Sequence, residues 1–178
     1  VAHDPGSLPF IKEETMAKVA IFIGSISDEE KMRPCAEVLT SLGIPHLFTV
    51  TSAHRTPART ERLVSELEAN GCQVFICAAG MAAHLAGAVA ARTIRPVIGV
   101  PIAASPLNGM DALLATVQMP PGFPVGTVAL DKAGARNAAW MAAQILALAD
   151  PALAARIQAE REKMAKGVET SAAGLEGR

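Results

Sequence analysis

Six consecutive residues, Ser52-Ala53-His54-Arg55-Thr56-Pro57, carry the strongest chemical signal in the chain. They follow the apolar, β-branched run Leu47-Phe48-Thr49-Val50-Thr51, which predicts a strand ending at a turn that exposes His54 and Arg55 on a rigid support. An imidazole titrates near neutrality and can give and take the same proton. A neighbouring guanidinium can fix a carboxylate or phosphate through two parallel hydrogen bonds. The hexapeptide therefore offers a proton shuttle beside an anion clamp. Taken alone, the same residues would also serve as a turn cap and a solvated charge, and the position of the other polar loops decides between the two.

Two such loops stand out. In Gly24-Ser25-Ile26-Ser27-Asp28, Ser25 and Ser27 sit at a helix entrance, where free backbone N–H groups and the helix dipole attract an anion such as a phosphate; N-capping by Ser27 or Asp28 is the competing reading. Asp28 would repel a phosphate at contact but suits the paired hydroxyls of a ribose. The second loop, Ala79-Gly80-Met81-Ala82-Ala83-His84, ends on a histidine that is either a second ligand group or a structural one. His46, just ahead of a strand, reads as structural. GxGxxG and the Walker pattern are absent, which removes support for dinucleotides and nucleoside triphosphates.

The elements that must hold these loops alternate. Lys18 to Ile23 is a nearly continuous apolar run, as in a strand covered on both faces, and Met32, Cys35, Ala36, Leu39 and Leu42 then recur at helical spacing until Gly43 and Pro45. Leu47 to Thr51 is the second strand, and Leu63, Val64 and Leu67 mark a helix ending at Asn70-Gly71. Val74 to Ala78, Pro96 to Val100 and Val125 to Leu130 give three more strands, with a small-residue helix to about Arg92 and a short helix from Gly109 to Val117 between them. The pattern predicts an α/β fold, a three-layer doubly wound parallel sheet of about five strands. The loops after its strands share one edge, which gathers Gly24 to Asp28, Ser52 to Pro57 and Ala79 to His84 and favours a functional His54. Ala133 to Ala149 is apolar nearly all round, which predicts a subunit interface there. A further helix runs from Pro151 to about Lys166, and the segment 167–178 reads as a disordered tail. Residues 1–15 read as a flexible leader, leaving 16–166 as a single catalytic domain.

Composition narrows the class further. The chain has 178 residues, 51% of them hydrophobic and only 3% aromatic, so its core is built from small and aliphatic side chains. The mean hydropathy is +0.31, yet no apolar run approaches the ~18 residues of a membrane span, and membrane partners are not expected. Sixteen basic and seventeen acidic residues are interspersed, so the one-signed field that holds nucleic acid is missing. Cys35, Cys72 and Cys77 lack CxxC or zinc-ligand spacing and read as buried thiols of a cytoplasmic protein without a metal site. From the residues alone the expectation is a site for a sugar phosphate carrying a second anionic or heteroaromatic part, with one histidine as acid and base.

In order and spacing, Gly24-Ser25-Ile26-Ser27-Asp28, Ser52-Ala53-His54-Arg55-Thr56-Pro57, Ala82-Ala83-His84-Leu85, Gly99-Val100-Pro101, Gln118-Met119-Pro120 and Pro124-Val125-Gly126-Thr127 resemble the class I PurE family of carboxyaminoimidazole ribonucleotide mutases. The resemblance covers roughly Lys18 to Ala149. It implies a flavodoxin-like fold, a homo-octamer, a ribonucleotide substrate, and conversion of 5-(carboxyamino)imidazole ribonucleotide to 4-carboxy-5-aminoimidazole ribonucleotide in purine synthesis without metal or organic cofactor. It makes His54 the catalytic histidine, assigns Ser25, Ser27 and Asp28 to the phosphoribosyl part and Arg55 to the phosphate, and has Ser52 and the Gly80 to His84 loop frame the base and a CO2 pocket. The family's usual glycines at positions 78 and 81 and proline at 86 are Ala78, Met81 and Ala86 here. If position 81 needs φ > 0, the Met81 side chain strains the loop or reshapes the pocket. That departure motivates two other readings: a carboxylase that takes free CO2 or bicarbonate onto a nucleotide ring, and a non-catalytic nucleotide-phosphate binding module.

Overall fold

The computed structural model describes residues 16–176; the leader expected over residues 1–15 lies outside them. Strands β1 (Val19–Ile23), β2 (His46–Val50), β3 (Val74–Gly80), β4 (Val97–Ile102) and β5 (Gly126–Thr127) form one parallel sheet in the order β2-β1-β3-β4-β5. Between and after them lie helices α1 (Glu29–Ser41), α2 (Pro57–Ala69), α3 (Leu85–Ala90), α4 (Met110–Val117), α5 (Asp131–Ala147) and α6 (Pro151–Glu176), with a 3₁₀ turn over Ile26–Asp28. The architecture is the expected α/β one.

Strand alternation divides the core into two halves. Val19, Ile21 and Ile23 of β1 point to one face, with Met32, Cys35 and Leu39 of α1 and Ala135, Ala138, Ala139, Ala142 and Ala143 of α5. Ala20 and Phe22 point to the other, with Leu63, Val64 and Leu67 of α2 and Leu85, Ala86 and Val89 of α3. Each fully buried Ile, Leu, Val, Phe or Met stabilises the fold by about 1.5–3 kcal/mol relative to leaving it exposed. The alanines of α5 add little each, but let its backbone lie close against α1. Because α1 covers one face and α3 the other, the loops leaving β1 and β3 diverge and open a crevice at the carboxyl edge of the sheet, at the switch point of the strand order.

Two boundaries depart from the sequence reading. The fifth strand was expected over Val125 to Leu130 but pairs only at Gly126 and Thr127, with Val128 adding one bond to the Gly99 carbonyl before Asp131 opens α5. Residues 167–176 are not a disordered tail: α6 continues to Glu176. The Thr170 hydroxyl donates to the Lys166 carbonyl at 2.8 Å and the Ser171 hydroxyl to the Gly167 carbonyl at 2.8 Å, so both hydroxyls are accommodated inside the helix. On α5, where a subunit interface is expected, Ala135, Ala138, Ala139, Ala142 and Ala143 are buried within the chain in one cluster with Leu153 and Ile157 of α6, while Met141 on another face stays exposed. The large apolar side chains left exposed include Met110, Leu114 and Val117, at i, i+4 and i+7 on α4.

Candidate functional site

The loops after β1, β2 and β3 close around a cavity of about 590 Å³. Ser25, Ser27, Asp28, Ser52, His54, Arg55, Gly80 and His84, drawn from three loops far apart in sequence, all line it. A larger cavity of about 820 Å³ lies at the opposite edge of the sheet, but its polar groups are already engaged with one another: Glu68 accepts from Thr93 at 2.7 Å and pairs with Arg95 at 3.4 Å. The smaller cavity gathers imidazoles, hydroxyls and a guanidinium from three loops at the carboxyl edge of the sheet, and is the candidate site.

Local geometry explains how each group is presented. Ser25 is extended and its hydroxyl accepts the Ser27 N–H at 3.4 Å, so the cap of the 3₁₀ turn is Ser25, while Asp28 makes no side-chain cap to α1. Asp28 is instead buried beneath the loop, 6% exposed, and accepts from the Ser27 hydroxyl at 3.3 Å. Burial pushes its carboxyl above the usual 3.8, against the opposing pull of the Ser27 hydrogen bond and the Lys31 ammonium. In the second loop Ser52 and Thr56 lock the turn: Thr56 Oγ1 accepts the Ser52 N–H at 2.9 Å, and the Ser52 hydroxyl accepts the Arg55 N–H at 3.2 Å. Pro57 at the first turn of α2 fixes the exit direction. One arm of the Arg55 fork, Nη2, donates to the Gly24 carbonyl at 2.8 Å and ties the second loop to the first.

The third loop delivers the second histidine. A Cβ on Gly80 would fall 2.6 Å from Ala104 Cβ and 3.0 Å from the Ile102 carbonyl oxygen, so only glycine lets the end of β3 lie against the chain leaving β4. Met81 follows at φ 55°, in the left-handed region, and a tight turn joins the His84 N–H to the Ala82 carbonyl at 2.8 Å. His84 thereby reaches His54: Nε2 of His54 and Nδ1 of His84 are 2.8 Å apart, with the rings edge to face. One nitrogen donates and the other accepts, so the contact holds a single proton between two imidazoles. His46 stands apart, its Nδ1 donating to the Ile44 carbonyl at 2.9 Å in the structural role expected of it.

Two residues that sequence reasoning missed belong to the same edge. Lys31 Nζ lies 3.0 Å from Asp131 Oδ1 and donates to the Ala103 carbonyl at 2.7 Å, while Asp131 Oδ1 accepts the Ala103 N–H at 3.0 Å. The group clamps the loop after β4 to α1 and α5. The signal was present: Lys31 lies one helical turn beyond Asp28, and Asp131 follows the last strand, so both fall on the edge already identified. The cysteines are withdrawn from chemistry, since burial raises the Cys35 thiol to about 12, the Cys72 thiol to about 11, and that of Cys77 as well. Among the described residues no cluster of three or more His, Cys, Asp or Glu side chains could hold a metal ion.

Residues 18–167 match the family described as AIR carboxylase. The chain is 51% identical over 141 residues to the N5-carboxyaminoimidazole ribonucleotide mutase of Escherichia coli strain K12, covering 79% of this chain and 83% of that protein. It is 45% identical over 161 residues to the mutase of the same name from Thermotoga maritima, covering 90% and 93%. Among solved structures, Treponema denticola PurE superposes with a TM-score of 0.80 at 27% identity, over 88% of this chain and 97% of that one.

Proposed function

The chain belongs to the AIR carboxylase family, and from that premise we propose that it acts in purine biosynthesis as an N5-carboxyaminoimidazole ribonucleotide mutase. The family description alone is compatible with either a carboxylase or a mutase. The relatives at 45–51% identity carry the mutase name, which favours the carboxyl shift. A cavity of about 590 Å³ falls within the ~300–1,000 Å³ range of small-molecule sites.

His54 is the acid and then the base. As the carbamate N–C bond breaks, its electron pair returns to the exocyclic nitrogen, which takes a proton from the imidazolium, and CO2 is freed inside the pocket. The ring carbon C4, electron-rich from the amino group beside it, attacks the CO2. The neutral imidazole then removes the C4 proton and regains its starting charge. His84 holds the ring of His54 in position, Ser25, Ser27 and Asp28 take the ribose and phosphate entrance, and Arg55 the phosphate, with the Gly80 loop against the base. The observation that carries this reading is the convergence of His54, Asp28 and Arg55 on one cavity wall. The exposed row Met110, Leu114 and Val117 on α4 supports a homo-oligomer, for which the family resemblance gives an octamer, and the three unspaced, buried cysteines suit the reducing cytoplasm.

The test is to mix purified protein with the carbamate ribonucleotide in labelled bicarbonate and follow ring carboxylation. Product forming with little label supports the mutase. Label entering stoichiometrically would mark a carboxylase, and tight binding without product a binding module. Light scattering on Leu114→Glu tests the assembly: the charge should leave smaller species, and an unchanged mass removes α4 from the interface.

A further inference from the structure

We propose that Lys31 is a positioning residue for ribonucleotide binding, its one ammonium balancing two carboxylates, Asp28 inside the site and Asp131 behind it. The inference rests on the reading of Asp28 as a ligand of the ribose. Three residues separate Asp28 from Lys31, so both lie on one face of the chain entering α1. Lys31 Nζ is 3.0 Å from Asp131 Oδ1 at the start of α5, and both side chains are about a third exposed. The other charges of this corner are paired with one another: Glu29 accepts from Arg33 at 3.0 Å and Glu30 from Lys132 at 2.7 Å. Lys31 is left to two acids, of which Asp28 is buried beneath its loop.

An ionised carboxylate is the better acceptor for a pair of ribose hydroxyls. Burial favours the neutral acid of Asp28, the Lys31 ammonium works against burial, and the Asp131 carboxylate works with it. Without the ammonium, two negative groups would share one corner beside a ligand that is itself an anion. The same ammonium also holds backbone. It donates to the Ala103 carbonyl at 2.7 Å, while Asp131 accepts the Ala103 N–H at 3.0 Å. Ala103 is the first residue past the last pair of β4, Ile102 with Gly80, so these side chains take over where the neighbouring strand ends. Ala104, next in the chain, lines the cavity and lies against Gly80. Lys31 therefore acts on the site through its neighbours, on Asp28 by charge and on the Gly80 wall through the backbone.

The experiment measures affinity of the full chain for 4-carboxy-5-aminoimidazole ribonucleotide by titration calorimetry, beside kcat and KM with the carbamate ribonucleotide. Lys31→Met keeps an unbranched side chain and removes the charge. It should weaken binding and raise KM about tenfold, the order of one unit charge lost near an anionic ligand, with a much smaller change in kcat. Adding Asp131→Asn removes the second carboxylate, while the amide oxygen can still accept the Ala103 N–H, so the double variant should recover most of the lost affinity. Raising salt should narrow the gap between Lys31→Met and wild type. A role confined to holding the fold gives the opposite order, with the double variant weaker than the single and a gap that salt leaves alone. Wild-type affinity in Lys31→Met, or a double variant no better than the single, would overturn the proposal and leave the mutase standing. If the wild type binds the ribonucleotide but converts no carbamate, the mutase reading falls and the same affinity series still decides for or against Lys31. A wild type that binds no ribonucleotide ends both.

Discussion

The two edges of the sheet solve the same backbone problem differently. At the edge where helices return to strands, turns that need left-handed backbone use glycine: Gly43 and Gly71, at φ 68° and 88°, close α1 and α2 with paired bonds such as Ile44 N–H to the Leu39 carbonyl at 2.9 Å. At the opposite edge, where strands feed the candidate site, Met81, Asn108 and Asp131 adopt φ of 55°, 51° and 53° in the loops after β3, β4 and β5. For Met81 this costs about 1–2 kcal/mol, and less for Asn108 and Asp131, whose short polar side chains tolerate the left-handed region. The loop after β4 also uses a glycine, Gly109 at φ 85°, but the non-glycine residues in this conformation all lie on the edge that presents groups, so the strain gathers there. Stability and chemistry are thus assigned to different ends of the same strands.

Substitutions at the two ends should therefore separate turnover from stability. The largest effect is expected for His54→Asn, which should lower kcat by about 10²–10⁴-fold, the usual contribution of one general acid–base group, with substrate affinity and melting temperature nearly unchanged. Titration calorimetry beside steady-state kinetics reads both, and substantial residual turnover would remove His54 from its role. Gly43→Ala sharpens the contrast from the other end. No atom lies within 4 Å of the added Cβ, so the cost is conformational alone, about 1 kcal/mol or roughly 2–4 °C in melting temperature, with turnover per folded protein unchanged. A matching loss of kcat would break the division between the edges.

The smallest effect, and the most diagnostic, is on Asp28. Its carboxyl is raised by burial above the ordinary 3.8, so between those two values the folded state binds more protons than the unfolded chain, and stability falls as pH rises through that window. The deficit persists at neutral pH and disappears as pH drops below 3.8. Asp28→Asn should therefore melt slightly higher than wild type at pH 7, with the difference fading in acid, while it weakens ribonucleotide binding. Equal melting temperatures across the whole range would show that burial of Asp28 imposes no cost.

Much of this was legible in advance because the signals are local. Five apolar runs gave the strands, helical spacing at Met32, Cys35 and Leu39 gave α1, and polar residues concentrated after strands gave the cavity wall. What escaped depends on pairing across long separations. Nothing near Asp131 shows that its carboxylate will take both Lys31 and the Ala103 N–H. The all-round apolar character of α5 does not say which of its faces its own chain will take, and that α1 and α6 pack against it is a tertiary fact that the helix itself cannot disclose. The length of α6 was missed because the segment from Gly167 onward read as a disordered tail; at one glycine's cost of about 1 kcal/mol, an otherwise helix-favouring stretch carries on.

The burial of the native thiols has a practical consequence. With Cys35 and Cys72 at about 12 and 11, and Cys77 likewise raised, alkylating reagents at neutral pH meet almost no thiolate in the folded chain. A cysteine introduced at an exposed position would be the one that reacts, so fluorescent or spin probes can be attached to the wild-type background without first deleting any native residue.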